Sequence, residues 1–141
     1  MKLGSLLMVW FLIGISVTPV KMQSQDKGIL GDFTRSPTEH IINQIDQPFN
    51  VRTVRGTIRR AVGDAGPLPD VLFEIQGPGA DKQIRRATAD KNGRFKIGRV
   101  PAGTYRFKAT LDGFQSVMGT VIVSKEAARA NQINLKMQIG V

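Results

Sequence analysis

From residue 51 to the C-terminus, apolar side chains recur at every second position in short runs, and glycine, proline, asparagine or aspartate interrupts each run. A strand turns successive side chains to opposite faces, so a period of two gives each run one apolar face and one polar face. Val54, Gly56 and Ile58 share one side of a first strand, ended by Gly63-Asp64-Ala65-Gly66-Pro67. Val71, Phe73 and Ile75 share one side of a second, ended by Gly77-Pro78-Gly79. A third occupies residues 83–89, where Arg85 and Arg86 blur the buried face. Phe95, Ile97 and Val100 define a fourth strand, and Tyr105, Phe107, Ala109 and Leu111 a fifth. Val117, Val121 and Val123 define a sixth, with Gly119 a candidate bulge, and Ile133, Leu135 and Met137 the last. Short strands of this kind hide their apolar faces only by closing two sheets over a shared core. The expected fold is therefore all-β, a seven-stranded antiparallel β-sandwich of Ig-like or prealbumin-like type, over residues 51–141.

The connections carry their own chemistry. Asp90 can accept from the backbone two residues on, and Asn92-Gly93 tolerates the positive φ that a tight turn needs. Pro101 breaks a strand and Gly103 restarts it, which places Tyr105 at the head of the next strand, its ring inward and its hydroxyl within reach of backbone. Asp112-Gly113 marks a further turn.

Gly56, then Gly66-Pro67-Leu68-Pro69-Asp70-Val71, Thr88-Ala89-Asp90-Lys91-Asn92-Gly93-Arg94-Phe95, Val100-Pro101-Ala102-Gly103-Thr104-Tyr105 and Asp112-Gly113-Phe114 follow one another in an order and spacing that resembles the carboxypeptidase regulatory-like family. The resemblance covers nearly all of Val51 to Met137. It implies a transthyretin-like sandwich, grouped also with carbohydrate-binding-like folds. It further implies a domain that usually accompanies a larger one, such as a peptidase or an outer-membrane receptor.

Ahead of the sandwich, Met1-Lys2 precedes an apolar run from Leu3 to Val20, the pattern of a secretory signal or of an uncleaved membrane anchor over residues 1–22. Both readings place the rest of the chain outside the cytoplasm, in the periplasm, secreted or held on the cell envelope. The absence of cysteine excludes a lipid-anchored cysteine, a disulfide framework, thiolate zinc sites and thiol catalysis together, and favours a bacterial envelope. Residues 23–50 form a linker. Within it Ser36-Pro37-Thr38-Glu39 spells a capping box, and Ile41, Ile42 and Ile45 predict a short helix near residues 37–46, closed by Pro48.

Charge is concentrated in the expected sandwich. From Val51 onward 16 Lys and Arg face 7 Asp and Glu, a net of +9, whereas Asp26 to Asn50 carries 2 against 4, a net of −2. A basic surface favours polyanions without choosing among them. If Phe95, Ile97, Phe107 and Ala109 point inward, then Arg94, Lys96, Arg106 and Lys108 point outward from adjacent strands, and Arg99 with the first-strand arginines extends the patch. These residues are the candidate anionic-ligand face. Aromatic residues are not interleaved there, which together with export disfavours nucleic acid. The expected partners are an acidic glycan or another envelope protein.

Catalytic and metal chemistry finds little to build on. Asp90-Lys91-Asn92-Gly93 opens like a calcium loop, but Arg94 and Pro101 stand where ligands are required. His40 is the only histidine and lies outside the strands. Gly77-Pro78-Gly79-Ala80-Asp81-Lys82 lacks the strand-to-helix setting of a phosphate loop. The expected role needs no cofactor. It is a non-catalytic exported module for binding or structural spacing, through carbohydrate or anionic-polymer binding or as an accessory subunit of a larger envelope protein.

Overall fold

β-Branched and aromatic side chains at alternate positions suit a pleated, half-buried surface, and the runs that carry them fold as strands. The computed structural model describes residues 31–78 and 83–140. The expected signal or anchor at 1–22 and the centre of the 77–82 loop lie outside the described residues. Nine strands follow in chain order: β1 (Ile42–Gln44), β2 (Phe49–Val51), β3 (Val54–Arg60), β4 (Leu72–Gln76), β5 (Ile84–Thr88), β6 (Arg94–Ile97), β7 (Gly103–Thr110), β8 (Ser116–Val123) and β9 (Ile133–Met137). They form two sheets. One runs β1-β8-β7-β4-β5, with β2 also on β8, and the other runs β6-β3-β9.

The core lies between the sheets. Val54 and Ile58 of β3, Phe95 and Ile97 of β6, and Ile133, Leu135 and Met137 of β9 meet Phe73, Ile75, Tyr105, Phe107, Val117 and Val121 from the larger sheet, all buried. Phe73 links the layers at its centre, stacking on Phe95 at 4.1 Å and on Phe107 at 5.4 Å between ring centroids. Stacked rings of this kind add about 0.5–1.5 kcal/mol beyond the area they bury.

Three expectations are corrected. The arrangement is not purely antiparallel: β1 and β2 run parallel to β8, and β3 runs parallel to β9. Strands three and nine are joined through the whole domain, so no hairpin dictates their direction.

The helix near residues 37–46 does not form. The capping box closes one turn, in which the Glu39 amide donates to the Ser36 carbonyl at 3.1 Å, and Ile42–Gln44 then extends along β8. A helix this short is marginal in water, while a bare β8 edge would leave a row of backbone groups unpaired, and strand pairing satisfies them.

Gly119 is not a bulge. The β7–β8 register runs unbroken through Phe107↔Gly119, and a Cβ at Gly119 would come within 2.7 Å of the Phe107 ring. Glycine here makes room for an aromatic partner across the ladder. Gly56 answers a tighter approach: its Cβ would fall 1.7 Å from the Ile133 carbonyl oxygen on β9.

Candidate functional site

The two outer faces of the sandwich have opposite characters. On the larger sheet, β4 and β7 place Glu74 directly opposite Lys108, and both are fully buried although they point away from the core. What covers them is the segment before β1. Glu74 accepts from the Thr34 amide at 2.9 Å, the Thr34 hydroxyl at 3.1 Å and Arg86 Nε at 2.8 Å. Lys108 Nζ donates to the Thr34 carbonyl at 2.7 Å and pairs with Glu39 Oε2 at 2.6 Å, where the Ser116 hydroxyl also donates. Burial pushes the Glu39 carboxyl up, but the Lys108 and Ser116 hydrogen bonds, the Lys108 charge and the Ser36 amide together hold it below its ordinary value. Buried charges persist only when paired and hydrogen-bonded, and this network meets that condition by recruiting the strap of residues 33–39.

The outer face of the smaller sheet is open. Its exposed side chains fall in cross-strand rows set by the register. Lys96 faces Arg55, and Gln132, just before β9, lies beside them; Arg94 faces Thr57, which faces Asn134; Arg59 faces Lys136. Neighbouring strands stand about 5 Å apart, so five cations share one flat surface. None of these strands places an acid on it. Asp90 stands at the margin, its carboxyl held low by the Arg94 backbone amide, despite some desolvation, and further by the Asn92 amide and the Arg94 and Lys91 charges. A shallow recess of about 430 Å³ lies among Arg55, Thr57, Arg94, Lys96 and Gln132.

The face expected from sequence is therefore divided. Arg94 and Lys96 sit together on the smaller sheet. Arg106 lies on the larger sheet, opposite Gln76 and Thr120, so it points to the other side of the sandwich. Lys108 is buried in the strap network and is not available to a ligand. Arg99 lies in the turn after β6 at φ 57°, where its carbonyl accepts from Arg85 at 2.7 Å. β6 and β7 are not neighbours in one sheet, because the chain crosses between layers around Pro101. Arg55 and Arg59 belong to the face as the first-strand arginines, whereas Lys136 joins it only through the parallel β3–β9 pairing.

The turn residues act on the frame. Asp90 Oδ1 accepts from the amides of Asn92 at 2.8 Å and Arg94 at 3.0 Å, with Gly93 at φ 71°. Tyr105 donates its hydroxyl to the Pro101 carbonyl at 2.7 Å across the break before Gly103. Gly113, at φ 83°, donates its amide to the Thr38 hydroxyl at 2.9 Å, tying that turn to the strap. His40 is exposed. Among the described residues no group of three or more His, Asp or Glu gathers as a metal site would require.

Comparison with known proteins places the fold. A family model described as carboxypeptidase regulatory-like domain matches residues 53–138. No curated protein matches the chain. Among solved structures, chlorocatechol 1,2-dioxygenase from Pseudomonas putida aligns at TM-score 0.44 and 10% identity, covering 77% of this chain and 69% of that one. 3-Chlorocatechol 1,2-dioxygenase from Rhodococcus opacus 1CP aligns at TM-score 0.42 and 14% identity, with the same coverage of 77% and 69%. Catechol 1,2-dioxygenase from Acinetobacter sp. ADP1 aligns at TM-score 0.38 and 13% identity, covering 79% of this chain and 57% of that one.

Proposed function

Since this chain belongs to the carboxypeptidase regulatory-like domain family, we propose that it is a non-catalytic module of the bacterial cell envelope that binds an acidic polymer through the outer face of its smaller sheet. One observation carries the reading: Arg55, Arg59, Arg94, Lys96 and Lys136 share an open face on which their strands place no carboxylate. Like charges facing each other across a ladder repel, so the arrangement costs stability unless an anion sits over it. An extended polyanion gains from several such contacts at once, and binding it releases counterions, which makes affinity fall with salt. Export is supported by the apolar run after Met1-Lys2, and the lack of cysteine fits an envelope compartment. An acidic glycan is the partner most available there; nucleic acid is not.

The test separates the face from overall charge. Lys96→Glu and Arg106→Glu change net charge equally but lie on opposite sides of the sandwich. On immobilised heparin, Lys96→Glu is expected to elute at clearly lower NaCl than the wild type, and Arg106→Glu close to it. Equal shifts for the two variants would show that net charge alone governs retention and would remove the proposed site.

A further inference from the structure

At the end of the basic face where β9 begins, a second hollow of about 390 Å³ opens between the start of β2 and residues 130–134 at the start of β9. Its chemistry differs from that of the face. Asn50, Asn131, Gln132 and Asn134 line it together with Pro48 and Phe49, and no ionisable side chain contributes. The two recesses are neighbours: Gln132 lines both, and Thr57 of the basic recess donates its hydroxyl to Asn134 Oδ1 at 2.9 Å.

A carboxamide presents a donor and an acceptor side by side in one plane, and so do adjacent hydroxyls on a pyranose ring. Phosphate and sulfate only accept, and a cationic surface without amides serves them as well. The hydrogen bonds inside the protein leave this complement available. Asn131 Nδ2 is committed to the Asn50 carbonyl at 3.0 Å, leaving its Oδ1 as an acceptor. Asn134 Oδ1 is committed to Thr57, leaving its NH₂ as a donor. The side chains of Asn50 and Gln132, both exposed, make no hydrogen bond among the described residues and offer both functions.

We infer that this amide-lined hollow is a sugar-ring subsite adjoining the basic face, so that the ligand is an acidic polysaccharide in which charged and hydroxyl-rich units are recognised side by side. The inference rests on the anionic-polymer reading above and narrows it to one class. Phe49 and Asn50 lie on β2 in the larger sheet, whereas Asn131 and Gln132 precede β9 and Asn134 lies on it in the smaller one; the Asn131 bond to the Asn50 carbonyl holds the two segments together.

The experiment uses the full-length protein and two probes, hyaluronate and inorganic polyphosphate, in lengths chosen for equal total charge, with binding followed by calorimetry at low and moderate salt. Wild type is expected to bind hyaluronate the more tightly. Asn50→Ala combined with Gln132→Ala should weaken hyaluronate at least tenfold and leave polyphosphate unchanged, while Arg94→Glu with Lys96→Glu should abolish both. If the amide variant weakens both probes alike, or neither, the sugar subsite is overturned and the basic face stands. If the charge-reversal variant still binds both probes, or wild type binds neither, the anionic-polymer reading itself fails. Tighter binding of single-stranded DNA or of phosphatidylglycerol vesicles than of hyaluronate would overturn the assignment to a polysaccharide. Unchanged thermal unfolding of each variant excludes misfolding as the cause.

Discussion

Replacing Lys108 with methionine keeps the length of the side chain and removes its charge, so it isolates what the ammonium does beneath the strap. Lys108 is fully buried and makes two short contacts, to Glu39 Oε2 at 2.6 Å and to the Thr34 carbonyl at 2.7 Å. In Lys108→Met, Glu39 keeps the Ser116 hydroxyl but loses its counter-charge, and the Thr34 carbonyl loses its donor. Breaking a buried pair by removing one partner costs about 3–5 kcal/mol, and an orphaned carbonyl about 1–3 kcal/mol. These do not add, because the strap can lift and return both groups to water. The free energy that closes the strap sets the ceiling, so we expect a loss of about 3–4 kcal/mol. At about 4 °C per kcal/mol for a domain of this size, Tm should fall by roughly 12–16 °C. Urea unfolding measures the first number. Amide exchange locates it: the Thr34 amide, bonded to Glu74, and the Ile45 amide, bonded to the Met118 carbonyl at 2.8 Å, should lose protection while core amides of β7 keep theirs. In Lys108→Met with Glu39→Gln the unpaired carboxylate is gone, and the double variant should be more stable than the sum of the single changes by at least about 1 kcal/mol. A loss under about 1 kcal/mol with strap protection unchanged would refute the reasoning, since the network would then not be what holds the strap.

Two further outcomes follow from the same geometry. Glu39 is held below its ordinary value of 4.5, so its contribution is full above that pH and is lost as pH falls through the folded-state value; the urea midpoint should drop on acidification below about pH 4.5. Glu39→Gln should flatten that slope, and an identical slope in the variant would assign the acid sensitivity elsewhere. Gly56→Ala should prevent folding, because the added Cβ meets the Ile133 carbonyl oxygen at 1.7 Å and β3 cannot stay on β9. Far-UV circular dichroism reads this directly, and a folded variant within a few degrees of wild type in Tm would contradict the β3–β9 register.

Much of the frame was legible in the chain itself. The period of two after residue 50 fixed which side chains face the core, because a pleated strand has no other way to bury Phe73, Phe95 and Phe107 at once. Turn chemistry was local too, since an Asx-type bond at Asp90 and a positive φ at Gly93 need only near neighbours.

What strand lies beside what strand was not local. Arg94 and Lys96 look like neighbours of Arg106 and Lys108 along the chain, yet the crossing at Pro101 sends β6 and β7 to different sheets and gives the basic face Arg55 and Lys136 instead. Residues 37–46 carry a helical start signal, but the free edge of β8 offers backbone partners that a solitary short helix cannot match, and so they extend. Lys108 reads as an outward charge from its alternation, and it is outward; only the strap folding over it makes it buried. Side-chain period is a property of consecutive residues and can be read along the sequence, whereas pairing and covering join residues dozens of positions apart and are settled only when the whole chain closes.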